Sequence, residues 1–148
     1  MCCNELIKII GASDVEICFK HATSAKENGK HFRINTQKKV CRVKNDGCLN
    51  NSQTEKKCDY IFKVCDTNEV VLVEFKGEDV DAAVSQVVAT YNKLLPALKN
   101  ENPTYSAYIV SSSIPKSAEQ SFRKLQKNCW KMHKLNVDKK HFKCEITI

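Results

Sequence analysis

The sequence predicts an α/β protein in which helices flank a mixed β-sheet. Apolar residues recur with helical spacing from residue 80 to residue 98, and two short apolar runs, 58–65 and 69–77, precede that segment. A third apolar run, 105–113, follows it. Strands joined by a short turn pair antiparallel, whereas a strand, a long helix and another strand form a parallel crossover. Both connections are predicted here, so the sheet is expected to be mixed.

The composition fits one domain spanning residues 1–148. The chain is 42% hydrophobic, enough to bury a core at this length. Its net charge of +7 favours a polyanionic partner such as nucleic acid, although solvated lysines alone produce the same excess. No segment approaches the roughly 20 apolar residues that span a bilayer, and the start lacks signal-peptide features. We therefore expect a soluble, cytoplasmic protein without a membrane partner.

The nine cysteines are an odd number and lie among apolar, strand-like segments. This pattern favours buried free thiols in a reducing compartment over a secreted disulfide framework. No C-x-x-C pair and no regular Cys/His spacing occurs, so neither a structural zinc site nor a thiol-based redox function has a motif to support it.

The first predicted helix begins at Ser13, which has capping-box spacing to Glu16, and ends at Gly29. Its apolar stripe consists of Val15, Cys18, Phe19 and Ala22. The first predicted strand spans residues 40–43 and leads into the turn dipeptide Asp46-Gly47 and a polar loop. The runs 58–65 and 69–77 form a hairpin through the turn "DTNE".

The long helix over residues 80–98 has Asp79 or Asp81 as its cap, and Pro96 is expected to end or kink it. A buried strand over 105–113 and a further helix follow, the helix opening with a Ser cap and a Pro suited to its first turn. One or two late strands complete the chain. The last strand is predicted to place alternate residues on one face, namely Phe142, Cys144, Ile146 and Ile148.

Three charged residues occupy the predicted hairpin, where a sheet normally excludes charge. Side chains alternate across a strand, so Glu74 and Lys76 share one face at the end of the second strand. Asp59 lies at the start of the first strand, and the hairpin turn brings that start beside the end of the second. The three charges are therefore expected to converge.

Two buried carboxylates repel each other unless a cation lies between them. A hard divalent ion is suitable, because Mg²⁺ prefers oxygen ligands and takes one or two carboxylates while it keeps waters for a substrate phosphate. Lys76 can orient or deprotonate a water at this position and stabilise charge that builds on the phosphate. The group of three residues therefore suits phosphodiester hydrolysis.

Asp59 on one strand, Glu74-Phe75-Lys76 on the next and the order helix, three strands, helix, strand resemble the PD-(D/E)xK nuclease superfamily. The resemblance covers roughly residues 13–112. It implies a restriction-endonuclease-like core of αβββαβ order, to which this chain adds a C-terminal helix and strand. It also implies that Asp59, Glu74 and the backbone carbonyl of Phe75 bind Mg²⁺ or Mn²⁺, and that Lys76 acts on the water. Cys58 replaces the proline that usually precedes the first Asp of the motif.

Two further residues match the superfamily less closely. Many members carry a glutamate on the first helix that reaches a second metal, and Glu16 is the candidate, although its capping-box position needs no such role. Some exonuclease branches carry a Gln followed by a Tyr four residues later. Gln86 matches that Gln, but Tyr91 lies five residues on and falls on the apolar stripe, so only Gln86 is assigned.

Simpler explanations stand beside these assignments. An exposed edge strand with an ion pair accounts for Glu74 and Lys76. Asp46 is a rival first carboxylate, but its place in the turn is enough to explain why an aspartate occurs there.

The predicted function is a metal-dependent endonuclease or exonuclease acting on DNA in preference to RNA, in DNA defence or repair. The alternative is a catalytically silent module that binds nucleic acid or a protein partner. The short chain has little beyond its core for target recognition, so we expect a homodimer or dependence on a partner.

Overall fold

The computed structural model describes residues 2–148, which form three α-helices and nine β-strands. The helices are α1 (Cys2–Ile10), α2 (Val80–Leu98) and α3 (Lys116–His133), with short 3₁₀ helices at Ser13–Cys18 and Lys99–Glu101. The strands are β1 (Phe19–His21), β2 (Ser24–Glu27), β3 (Lys30–Asn35), β4 (Val40–Lys44), β5 (Tyr60–Val64), β6 (Glu69–Lys76), β7 (Thr104–Ser111), β8 (Asn136–His141) and β9 (Lys143–Thr147).

The main sheet is mixed, as predicted. It has the strand order β1-β4-β5-β6-β7-β8, in which the pairs from β1 to β6 are antiparallel and the pairs from β6 to β8 are parallel. The turn "DTNE" joins β5 to β6, and α2 and α3 are the connections between the parallel strands. These elements lie where hydrophobic periodicity predicted them.

The molecule has three layers. All three helices contribute buried residues to a core on one face of the main sheet, where Val70 and Leu72 of β6 point. The other face, to which Val71 and Val73 point, is covered by a second sheet with the strand order β2-β3-β9. Phe32 of this second sheet is fully buried, and its ring centroid lies 5.2 Å from that of Phe62. Helices thus cover one face of the main sheet, and the second sheet covers the other.

The predicted helix from Ser13 to Gly29 is wrong beyond its first residues. A 3₁₀ helix ends at Cys18, and the chain then forms β1 and the hairpin of β2 and β3. Asn28 and Gly29 have positive φ angles of 48° and 76°, a pair typical of a tight hairpin turn. Gly29 therefore turns a hairpin and does not end a helix. The apolar residues assigned to the helical stripe belong to separate elements.

The cysteine prediction is wrong for six of the nine residues. Disulfides link Cys2 to Cys65, Cys3 to Cys41 and Cys18 to Cys48, with Cα–Cα distances of 5.1, 5.3 and 5.7 Å. The free cysteines are buried and are Cys58, Cys129 and Cys144. The cysteines consequently give no support to a reducing compartment, and the cellular location stays a prediction.

The remaining elements depart from expectation in detail. Asp79 caps α2 by accepting a hydrogen bond from the Ala82 amide (3.0 Å), and the helix continues past Pro96 to Leu98. Pro115, without a side-chain cap, precedes α3. Phe142 has a φ angle of 62° and lies outside β9, so it does not share the face of Cys144. No helix within residues 2–148 is long and apolar enough to cross a membrane.

Candidate metal centre

The hairpin of β5 and β6 places Asp59 beside Glu74. Tyr60 pairs with Val73 in the antiparallel register, so the residue before Tyr60 lies opposite the residue after Val73. Opposed residues have Cβ atoms roughly 4.5–5.5 Å apart. The Phe75 amide donates a hydrogen bond of 2.8 Å to Asp59 Oδ2, which fixes the aspartate across the strand pair. The structure therefore brings the two predicted carboxyl groups together.

Both carboxyl groups are shielded from water. Asp59 is 8% exposed and Glu74 is 3% exposed. Burial first, and then the charge of Asp59, raises the pKa of Glu74 to about 9. Burial also raises the pKa of Asp59. The hydrogen bond from the Phe75 amide partly lowers it again, because it stabilises the carboxylate. Because the pKa of Glu74 lies above neutral pH, the glutamate holds a proton at pH 7 when no cation is present.

One oxygen of this pair lacks a partner. Glu74 Oε1 is buried and forms no hydrogen bond. A buried oxygen without a donor costs free energy, and a cation beside it removes that cost. The orphaned oxygen, the neighbouring Asp59 carboxylate and the Phe75 carbonyl are all hard oxygen donors, the type that Mg²⁺ and Mn²⁺ prefer. These residues therefore fit a hard divalent ion.

A softer metal fits less well. Cys58, which directly precedes Asp59, is fully buried, and burial raises the pKa of its thiol to about 12. It is therefore not a thiolate at neutral pH, and only a thiolate binds zinc well. Among residues 2–148, no three His, Cys, Asp or Glu side chains are grouped closely enough to hold a metal ion. Asp59 and Glu74 are thus the two carboxyl groups that could hold a hard ion here.

Lys76 lies beside Glu74, so the three charged residues are close together as the sequence predicted. Its Nζ lies 3.8 Å from Glu74 Oε2 and donates a hydrogen bond of 2.8 Å to Gln86 Oε1 on α2. The side chain of Lys76 is 26% exposed, so its amine can meet a ligand from solvent. Gln86 therefore lies at the centre and holds the amine. Beside it, a polar cleft of about 300 Å³ is lined by Gln86, Asp46 and Lys57.

Glu16 is not brought to this centre. It is exposed on the 3₁₀ helix Ser13–Cys18, and no hydrogen bond or ion pair within residues 2–148 joins it to Asp59, Glu74 or Lys76. The physical reason is that its predicted helix does not form. The sequence analysis missed another glutamate, Glu27 at the end of β2, which interacts electrostatically with Asp59. Burial, and then the charge of Asp59, raises the pKa of Glu27.

Asp46, the rival first carboxylate, borders the centre without replacing Asp59. Its side chain is 51% exposed and lies 3.8 Å from Lys57 Nζ, while its amide donates to the Asp59 carbonyl at 3.3 Å. The charge of Asp46 contributes to the raised pKa of Asp59. The buried carboxyl of Asp59 is therefore the one that pairs with Glu74, and Asp46 lines the adjacent cleft.

Two polar residues that sequence reasoning missed hold the segment before Asp59. The Cys58 amide donates to Thr90 Oγ1 at 2.9 Å, and the Asn45 side-chain amide donates to the Cys58 carbonyl at 3.0 Å. Both residues are buried. The signal for Thr90 was a polar residue at a core-facing position of α2, where a hydroxyl needs a partner.

The geometry therefore provides two buried, adjacent carboxyl groups, an oxygen without a partner, and an amine held beside them. No protein-family model, curated protein or solved structure matches the chain.

Proposed function

We propose that this protein is a metal-dependent nuclease with a restriction-endonuclease-like core, as the PD-(D/E)xK resemblance implies. One observation carries the proposal: Glu74 Oε1 is buried without a partner, next to Asp59 and with Lys76 Nζ 3.8 Å from the other oxygen of the same carboxyl. An ion pair on an exposed edge strand would not bury the glutamate to this degree. A hard cation and a phosphate oxygen are the ligands that such a group recognises.

Asp59, Glu74 and the Phe75 carbonyl would hold Mg²⁺ or Mn²⁺. When bound, such an ion would neutralise the negative charge that develops on the phosphate in the transition state. Glu74 would hold the ion as a carboxylate, so its proton would have to leave for binding. Lys76, held by Gln86, orients the attacking water and stabilises negative charge on the phosphate oxygens. Water forms the new P–O bond and loses a proton, the P–O ester bond breaks, and the leaving oxygen takes a proton from solvent.

The charge of the chain supports a nucleic-acid substrate. Lys and Arg exceed Asp and Glu by 24 to 17, although the candidate centre itself is acidic. An excess of positive charge attracts phosphate groups. DNA is the proposed substrate in preference to RNA, in defence or repair, with a homodimer or a protein partner supplying target recognition.

The test is cleavage of plasmid DNA with Mg²⁺ or Mn²⁺, by wild type and by Lys76→Ala. We expect Lys76→Ala to lower the cleavage rate by about a hundredfold or more, the scale of a lost acid–base group. Lys20→Ala, which removes an exposed lysine on β1, should cut at the wild-type rate. Circular dichroism checks that each variant is folded. Cleavage in EDTA, or undiminished cleavage by Lys76→Ala, contradicts the proposal.

A silent nucleic-acid-binding module is the second candidate, and one observation favours it. With a pKa of about 9, Glu74 is neutral at pH 7, so the carboxyl pair is stable without any ion. Such a module would bind DNA equally well with and without Mg²⁺, and Glu74→Gln would not change its affinity. Binding of this kind without any cleavage would replace the nuclease proposal.

A further inference from the structure

The exposed side of α3 carries positive charge from Arg123 to the C-terminal end of the helix. Its basic residues recur at spacings of three, four and seven, which places them on one side of a helix. We name this surface the cationic face, and it comprises Arg123, Lys124, Lys127, Lys131 and Lys134. All five are exposed, and none forms an ion pair within residues 2–148. The single acidic residue of the helix, Glu119, is bound by Lys139 at 2.8 Å.

An exposed aromatic side chain lies within the cationic face. Trp130 is 54% exposed and is the single tryptophan of the chain. Lys134 Nζ lies 5.3 Å from the centre of its ring. The ring of Trp130 thus has one cation over it and a large part of its surface open to solvent. It is suited to a ligand that combines a flat ring with negative charge.

A groove of about 630 Å³ opens beside Trp130. Tyr91, Tyr105 and Trp130 contribute aromatic surface to it, and Lys99 and Lys134 contribute charge. Tyr105 is 8% exposed, and its hydroxyl is buried without a hydrogen-bond partner. The groove therefore combines aromatic surface with positive charge, which suits a flat ring that carries negative charge.

We propose that the cationic face of α3 and this groove bind single-stranded nucleic acid. The cations neutralise phosphates, and Trp130 stacks on a base. A single strand is preferred because the bases of a duplex stack on each other and offer no free face to Trp130. The choice of nucleic acid among polyanions rests on the proposed function.

Helix α3 starts shortly after the end of β7, the strand that pairs with the Lys76 end of β6. The helix starts at Lys116, shortly after Ser111, which pairs with Lys76 at the carboxyl ends of β7 and β6. Its 18 residues extend about 27 Å to the groove at the opposite edge of the sheet.

The test measures binding of oligothymidylate to the Glu74→Gln protein in EDTA, which separates binding from cleavage. Because Trp130 is the single tryptophan, its fluorescence reports stacking directly, and we expect quenching on titration. The double variant Lys127→Glu/Lys131→Glu should weaken binding at least about tenfold and lower the salt slope by about 0.7 per lost contact. Trp130→Ala, followed by anisotropy of a labelled oligonucleotide, should weaken binding about ten- to hundredfold.

The matched control is Lys38→Glu/Lys39→Glu, which makes the same charge change at two exposed lysines between β3 and β4 and should bind nearly as the parent does. Equal weakening by the control would overturn the inference in favour of diffuse charge. So would equal quenching of Trp130 by a duplex, or binding to anionic vesicles or acidic peptides but not to the oligonucleotide.

The outcomes also separate this inference from the proposed function. If oligonucleotide binding depends on the cationic face but the protein never cleaves DNA, only the nuclease proposal is contradicted. If wild type cleaves DNA with metal but neither α3 variant weakens oligonucleotide binding, only the inference about α3 is contradicted.

Discussion

Glu74 is a carboxylic acid in a place that favours its neutral form. Its usual pKa of 4.5 rises to about 9, chiefly because burial penalises the charge and secondly because Asp59 is adjacent. Between these two values the folded state binds a proton that the unfolded state has lost. The free energy of unfolding therefore falls as pH rises from 4.5 to about 9 when no cation is present.

Glu74→Gln should remove this pH-dependent cost. Without divalent ions, we expect the variant to melt at a higher temperature than wild type, with a difference that is small near pH 4.5 and grows towards pH 9. Each kcal/mol corresponds to about 2–4 °C for a chain of this size. Scanning calorimetry across pH in EDTA measures it. Adding Mn²⁺ should then raise the melting temperature of wild type more than that of the variant.

Glu69→Gln is the matched control, because Glu69 lies at the partly exposed start of the same strand. It should leave the melting temperature nearly unchanged. A gap between Glu74→Gln and wild type that stays constant from pH 4.5 to pH 9 would contradict the carboxyl-pair description.

At the scale of elements, covalent links secure the N-terminal segment. Helix α1 has only nine residues, too few to be stable by itself in water. Cys2 and Cys3 of α1 are bonded to Cys65 and Cys41, and Cys18 at the end of the 3₁₀ helix is bonded to Cys48. These links close 63-, 38- and 30-residue separations, so they restrict the unfolded chain considerably.

Breaking one link should lower stability without removing the fold of the sheet. We expect Cys3→Ser/Cys41→Ser to lose about 2–4 kcal/mol in the free energy of unfolding, measured in urea. Alkylation followed by mass spectrometry tests the pairing itself. Unreduced, denatured protein should take up label at three cysteines, and reduced protein at nine. Nine labels without reduction would show that the disulfides are absent.

At the scale of the whole molecule, stability depends on how the second sheet packs on the first. The ring of Phe32 is fully buried between the sheets, with centroid distances of 5.2 Å to Phe62 and 5.8 Å to Tyr108. The same interior contains Tyr60 and Phe75, which flank the candidate metal centre in sequence. The second sheet therefore supports the strands that carry Asp59 and Glu74.

Phe32→Ala should cost about 3–5 kcal/mol, the usual cost of deleting a buried aromatic ring. Phe142→Ala, at a ring that is 50% exposed between β8 and β9, should stay within about 0.5 kcal/mol of wild type. Urea unfolding gives both values. A similar cost for the two variants would mean that the second sheet does not contribute to the core as described.

Part of the candidate centre could be predicted because its geometry is local. Asp59 and Glu74 meet through a hairpin whose turn lies between them, and alternation along β6 puts Lys76 on the side of Glu74. Glu16 could not be judged correctly, because its expected role required a helix that the Asn28-Gly29 turn and the sheet pairing of β1 to β3 preclude. Thr90 and Asn45 were missed because their partners lie 32 and 13 residues away.

The sequence by itself determined α2, α3, the strands β4 to β7 and the mixed pairing of the main sheet, since periodicity and turn residues are local properties. The tertiary structure alone decided which cysteines are bonded and that residues 30–35 pair with residues 143–147 as a second sheet. It also decided that Gln86 holds Lys76. The disulfides and the second sheet join residues far apart in the chain, and the contact between Lys76 and Gln86 joins a strand to the following helix. The free energy of these contacts depends on burial and proximity, which no local spacing encodes.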